Sequence, residues 1–571
     1  MHLMMTTMLL VVMMIMTSSS VAAKGEPLAD CQGGTCPSPV NINDAECGLW
    51  LGPSTIKNAE DHGFGLGMFT GRFIPKGSTV ESLYSVGGEV LIPIFASRIY
   101  KTNPPLREYV WSADNMPEIP TENRHGTTSL FIPGLAAFAP CTSQNYNLEL
   151  SSSTGGAVVD SDSVHRARNP TAGSFSYRHN VTYTAVRDIV PGEELTVYCS
   201  DDNFDGGAYF LSSFQSSDDA VVCLDNNLRI DISTIAGAGR GLFAKRNISE
   251  GSVITSTPLV PIHRKALDIV IKDKESPAIS PKQLILNYCY GHPNSDLLLL
   301  PYGPLASHFN HALRANAVLR WHNLTETNEE LRRKQFHHPE VFQLPADEVA
   351  ETHRKGLMMD IVALRHIKAN EEVLLDYGPE WTEAYKAQVD AWPQEGDTYM
   401  SASNYVASSA RAVLRTEDEQ KSDPYPDNLR TMCFYSKHIP NPKPGEDHEE
   451  YSTFNEGEEN KCIRPCIILQ RYEEDSRALY TVKMSPSDNA GVPRKCRLKS
   501  VTLVNDMPVH AIRILDRPYT ADMFLPKAFR REIGVPDGFY PVNWMKKNLR
   551  QQPKGEGGGD IFKRKQAIKE E

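Results

Sequence analysis

Residues 307–318 read Ser-His-Phe-Asn-His-Ala-Leu-Arg-Ala-Asn-Ala-Val, with Asn310 and His311 side by side behind Phe309 and Asn316 following in a small, apolar setting. Taken alone, the stretch is a turn, because Asn and His side chains bond nearby backbone and stabilise tight reversals. Only the company this pair keeps along the chain decides whether it is something more.

The chain has 571 residues, 23% of them charged and 40% hydrophobic. That balance is ordinary for globular domains, and the length predicts three or four of them. Lys and Arg number 59 against 71 Asp and Glu, a net charge of −12. Nothing in that balance forecasts an electrostatic grip on nucleic acid, and no direct nucleic-acid binding is expected.

The N-terminus carries an apolar run from Met8 to Met16, far shorter than the roughly 20 residues a bilayer requires. Val21-Ala22-Ala23 then reads as a cleavage site, so residues 1–23 are expected to be a secretory signal peptide. The n-region has no Lys or Arg, which leaves a mitochondrial-type or misassigned start as the alternative. No later stretch is long and apolar enough to span a membrane in the mature chain. The predicted destination is the secretory pathway: secreted, luminal, or a plastid reached by that route.

Eleven cysteines leave at least one unpaired or bonded to another chain. Cys31, Cys36 and Cys47 suit small loops in an oxidising compartment. Cys433, Cys462, Cys466 and Cys496 include one CxxxC spacing without a nearby His, a weak suggestion of structural zinc. No metal ligand set is assigned. Sequons begin at Asn180, Asn247 and Asn323 and matter only in a secreted chain.

Comparing the chain with itself is the most informative step. Gly63, Gly65, Gly67, Phe69, Ile74 and Gly77 recur at one constant offset as Gly237, Gly239, Gly241, Phe243, Ile248 and Gly251. AVRDIVPGEEL from Ala185 matches ALRHIKANEEV from Ala363, and between them Phe138 and Asn145 pair with Phe309 and Asn316. Ordered matches of this kind predict two copies of one domain, at 24–210 and 220–385. Period-two alternation broken by Gly, Pro and Asn predicts mostly short β-strands. SPKQLILNYCYG, from Ser280, reads as more helical, and the polar TETNEELRRKQFHHPEVF, from Thr325, as a solvated insertion. The fold class is therefore mainly β with some helix.

The second copy shows Gly237-Ala238-Gly239-Arg240-Gly241, then Phe309-Asn310-His311, then Asn316. It closes with Glu371-Glu372-Val373-Leu374-Leu375-Asp376-Tyr377-Gly378. No piece is specific by itself. In this order they resemble the SET domain, the family of protein lysine methyltransferases, well over about 225–385 and weakly over 45–205. The resemblance implies two tandem β-clip folds in which the Asn-His and Tyr segments pass through one another, a threading otherwise rare. It implies S-adenosylmethionine as cofactor and a lysine-containing protein or peptide as substrate.

Under that resemblance, Gly237, Gly239, Arg240 and Gly241 let backbone approach the cofactor closely, and Asn310 and His311 hold it by hydrogen bonds. Tyr377 is the catalytic candidate. Methyl transfer needs a lysine amine aligned with the methyl carbon, and a phenol at the channel mouth can orient it. A desolvated channel also lowers the lysine pKa and frees the nucleophile. Tyr288 and Tyr290 are candidates for the same channel, whereas Glu372 and Asp376 support the strand. Ala312 and Asn370 depart from the family's usual Ser and Gly, and PEWTEAYKAQVDAW replaces the Cys-rich segment that often follows.

In the first copy, Ala139 and Pro140 fall at the places of Asn310 and His311, and Cys199 at that of Tyr377. That copy is expected to be inactive, with a structural or substrate-binding role. A polar linker at 386–423 leads to a small β-rich C-terminal domain at 424–547, either a tudor-like reader of peptides or plain interdomain packing. The tail, 548–571, is expected to be disordered. Two functions stay open: a lysine methyltransferase working through the second copy, or a non-catalytic binding or scaffold protein of SET ancestry.

Overall fold

Short alternating runs, punctuated by Gly, Pro and Asn, form strands throughout, with few helices. The computed structural model describes residues between 48 and 546, chiefly within 48–55, 66–80, 128–134, 145–152, 170–176, 181–198, 227–269, 281–322, 339–351, 357–392, 414–435, 462–488, 497–517 and 524–546. The signal segment, Cys31, Cys36, Cys47, Asn180, Asn323, Pro140, Cys199 and the tail lie outside the described residues. No described helix is long and apolar enough to cross a membrane.

The largest sheet carries the motifs. Its strands run in the order Leu228–Ile232, Arg240–Ala244, Glu372–Leu375, Ala317–Trp321, Leu357–Ala363, Val253–His263, Leu297–Pro301, Tyr290–Gly291 and Ile533–Gly534. Leu357–Ala363 is buried at every position, as its mostly apolar run requires. Its one acid, Asp360, is reconciled with burial by Ser256, whose Oγ donates at 2.5 Å, and by His322 Nδ1 at 2.8 Å.

The Asn310–His311 strand pairs in parallel with Glu372–Leu375, Asn310 opposite Leu374 and His311 opposite Leu375. On its other side Leu375 faces Ala317. Ala312 N–H donates to Leu375 O at 2.9 Å and Asn316 N–H to Leu374 O at 3.2 Å. The strand leading to Tyr377 is thus clasped between the two arms of the 310–317 bend.

The same bonding recurs in the first half. Val197–Tyr198 lies between Cys141–Thr142 and Leu148–Ser152, with Val181–Ala185 beyond. Ile74 bridges Ile189 as Ile248 bridges Ile367. Gly77 N–H donates to Ala185 O at 2.7 Å, and Gly251 N–H to Ala363 O at 2.8 Å. Both glycines have a left-handed φ, 80° and 81°.

Register corrects one pairing. The counterpart of Asn316 is Asn147, not Asn145. Asn147 Nδ2 donates to Glu194 O at 2.7 Å and its Oδ1 accepts Thr196 N–H at 2.8 Å. Asn316 makes the same pair with Glu372 O and Leu374 N–H, both at 2.8 Å. Asn145 instead serves a turn, at φ 58°. Cys141, opposite Val197, then takes the place of His311, so the substituted positions fall one residue later than Ala139 and Pro140. An ungapped count fails here because the two bends differ in length.

One apolar core runs from Leu49 through both halves to Trp544, and a second gathers residues from Ala402 to Ile514. The second core lies between the Ile463–Pro465, Leu429–Phe434, Ile512–Asp516 sheet and a four-stranded sheet that includes Arg477–Met484. Cys433 and Cys466 form a disulfide with Cα atoms 5.8 Å apart, and Cys462 is also disulfide-bonded, so oxidation has taken thiols that zinc would need. Two expected boundaries move. The Pro379–Ala391 helix runs past 385, and Ile533–Gly534 leaves the C-terminal domain to pair in parallel with Tyr290–Gly291. Phe539, Tyr540 and Trp544 follow it into the first core, because their large apolar surfaces find burial there.

Candidate active site

Glu372 is the hub beneath the glycine loop. Its carboxylate accepts Ser233 Oγ at 2.7 Å, Thr234 N–H at 2.8 Å, Asn310 Nδ2 at 3.0 Å and the Thr234 hydroxyl. Burial alone would push this carboxyl up, yet these donors together hold it below its ordinary value. A Cβ on Gly241 would sit 2.1 Å from Glu372 Oε1 and 2.9 Å from Asn310 Nδ2, so glycine is required for this carboxylate to approach. Gly237 and Gly239 answer a different need. Their φ values are 77° and 69°, and nothing lies within 4 Å of the side a Cβ would occupy.

Asn310 shares its amide protons among Glu372 Oε1, Ser233 Oγ at 3.1 Å and Arg240 O at 3.1 Å. Its Oδ1 accepts no hydrogen bond from the described residues. His311 spends its ring inside the fold: Nδ1 accepts Tyr377 N–H at 3.0 Å, and Nε2 stands 3.2 Å from Thr382 Oγ1. Thr382 gives its own proton to Gly378 O, so Nε2 is the donor and the imidazole is neutral. Burial lowers the His311 pKa in the same sense, against the pull of Asp376.

The Tyr377 hydroxyl donates to Phe309 O, immediately before the Asn-His pair, in a short bond. Its ring lies 5.3 Å from His311 and 5.0 Å from Trp381. Burial raises the Tyr377 pKa, and Tyr290 and Tyr288 raise it further, so it is a protonated phenol at neutral pH. Tyr290 is buried and its hydroxyl has no hydrogen-bond partner among the described residues. Burial pushes Tyr288 up to about 12, tempered by Ser176 N–H, Arg530 and Arg240. Burial pulls Arg240 down to about 10 against the opposing influence of Tyr288, and its carbonyl serves Asn310.

Several members carry no sequence signal. Trp381 stacks on Tyr385 at 5.0 Å, and Phe529 meets both edge-on at 5.4 and 5.5 Å. Gly534 N–H donates to Tyr377 O at 2.9 Å. Ser233 and Thr234 could have been found, since Ser54 and Thr55 hold Glu194 in the same way in the first half.

Residues 239–378 match the family model of the SET domain. This chain carries a SET domain. Similar solved structures include a Plasmodium falciparum protein assigned as a histone methyltransferase, 20% identical over 27% of this chain and 96% of that one, TM-score 0.16. Polycomb repressive complex 2 bound to S-adenosylmethionine is 18% identical over 28% of this chain and 17% of its own, TM-score 0.18. A humanized mutant of the Chaetomium thermophilum complex bound to an inhibitor is 16% identical over 26% and 15%, TM-score 0.15. The chain thus spans a small part of the polycomb chains, and the assignment rests on the family match. No curated protein matches the sequence. One departure from the SET pattern has a physical account. Asn370 has φ 66°, and its counterpart Gly192 has φ 87°; after Gly, Asn is the residue that best tolerates that region.

Proposed function

We propose that the SET domain is an S-adenosylmethionine-dependent protein lysine N-methyltransferase, and that the first half is its degenerate copy. The observation that carries the reading is the convergence at 309–311, where the Tyr377 hydroxyl bonds Phe309 O and the Tyr377 N–H bonds His311 Nδ1.

The residues fit the cofactor. The unspent Asn310 Oδ1 is an acceptor suited to an ammonium, and the left-handed Gly237 and Gly239 leave their backbone open to close approach. S-adenosylmethionine, when bound, supplies an electrophilic methyl on a sulfonium. Tyr377 acts as an orienting group, because a phenol with a raised pKa is a poor base. Tyr288 and Tyr290 add acceptors for a lysine amine, and the Trp381 and Phe529 rings suit its aliphatic stem. Such surroundings favour the neutral amine, whose proton leaves to solvent before the acceptor is enclosed.

The first half keeps the carboxylate hub without the Asn-His pair, which supports a structural or substrate-binding role. The disulfides support an oxidising compartment, hence the secretory route and a luminal or secreted protein substrate. A fluorescent fusion with and without residues 1–23 tests the location; cytosolic signal in both overturns it. Calorimetry with S-adenosylmethionine tests the activity's premise: we expect binding that Asn310→Ala weakens at least about tenfold, the worth of one charge-assisted hydrogen bond. No heat from the wild-type chain at millimolar cofactor would leave the scaffold reading.

A further inference from the structure

A short loop of the first half reaches the SET site. Three groups from two distant segments seize the main chain of 173–176. Arg530 Nη1 donates to Gly173 O at 2.6 Å, Asn287 Nδ2 to Ser174 O at 2.7 Å, and Ser176 N–H donates to the Tyr288 hydroxyl at 2.9 Å. The loop is held from within by Ser174 N–H to Thr171 O at 2.9 Å, and Ala172 and Ser176 are buried.

Asn287 uses both ends of its amide. Besides Ser174, its Nδ2 serves Phe529 O at 2.9 Å, and its Oδ1 accepts Arg531 N–H at 2.9 Å. One side chain therefore staples the first-half loop, the 284–288 segment and the 529–531 strap, whose Phe529 packs on Trp381. Bonds to main-chain atoms fix register. A shift by one residue would leave buried donors unpaired, each costing about 1–3 kcal/mol. The Tyr288 hydroxyl accepts from Ser176 and donates to none of the described residues.

We propose that loop 170–176 is the outer wall on the acceptor side of the SET site, with Asn287 and Tyr288 as positioning residues that hold it. The degenerate half then helps decide which lysine-bearing segments enter. This rests on the methyltransferase reading for the word acceptor, and on the hydrogen bonds alone for the wall.

Hydrogen–deuterium exchange on the full chain tests the wall. Wild-type amides of 173–176 should exchange slowly. Asn287→Asp keeps the size and the acceptor but loses the donor, and should speed them roughly tenfold while 357–363 stays protected. Tyr288→Phe should speed Ser176 alone. Loop amides that are already fast in the wild type, or still slow in both variants, overturn the proposal. Methylation of an immobilised lysine-peptide library, with S-adenosylmethionine as donor, tests the consequence. Asn287→Asp should change the ranking of peptides while KM for the cofactor stays within about twofold, a split that general unfolding does not produce. An unchanged ranking with a released loop overturns the specificity role. A wild-type chain that binds no S-adenosylmethionine sinks the methyltransferase reading, and amides released by both substitutions would still uphold the wall.

Discussion

Glu372 and Glu194 occupy the same place in two halves of one chain and titrate in opposite directions. Both accept a Ser hydroxyl and a Thr amide and hydroxyl, but only Glu372 has the side-chain amide of Asn310. Burial therefore wins at Glu194, whose pKa is raised, and the donors win at Glu372, whose pKa is lowered. Stability owed to Glu372 is present above the unfolded value of 4.5 and lost as pH falls through its lower folded value. The contribution of Glu194 is fully present below 4.5 and lost as pH rises through its higher folded value. We expect Glu194→Gln to raise the thermal midpoint at pH 7 and Glu372→Gln to lower it, the latter by about 1–3 kcal/mol. Thermal unfolding of both variants between pH 4 and 8 checks the signs. Tyr377→Phe should lower turnover on the peptide library with cofactor affinity unchanged within about twofold. A lost cofactor affinity would move Tyr377 from orienting the acceptor to holding the fold.

At the scale of elements, the two-residue strand Ile533–Gly534 does more than its length suggests. It pairs with Tyr290–Gly291, and Gly534 N–H bonds the Tyr377 carbonyl at 2.9 Å. A Cβ at Gly534 would stand 2.6 Å from that carbonyl oxygen, a backbone atom that cannot swing aside. Gly534→Ala should therefore detach the strap, cost about 1–3 kcal/mol, and change the fluorescence of Trp381, which Phe529 covers. Unaltered emission and midpoint would mean that the strap is held elsewhere. Gly241 was legible as a position intolerant of a side chain, and a Cβ there would run into the Glu372 carboxylate. The strap was not legible at all. Two residues show no periodicity, and GVPDGFYPVNWM looks like any packed, aromatic-rich segment.

Across the whole molecule, two apolar cores imply two responses to reducing conditions. The Cys433–Cys466 disulfide closes a loop of 33 residues within the second core. Reduction should destabilise that core by about 2–4 kcal/mol and leave the SET core, which holds the free and buried Cys289, nearly unmoved. Calorimetry with and without dithiothreitol reads this as one shifted and one stationary transition; two equal shifts would join the cores into one cooperative unit. Local chemistry already announced the strand class and the ordered SET motifs. Periodicity, left-handed turns and residue types are properties of neighbours along the chain. The Asn147 register, the strap and the loop wall depended on folding, because each joins segments far apart in sequence through main-chain atoms that every residue possesses. Backbone carbonyls and amides carry no residue code, so only three-dimensional closure selects which of them meet.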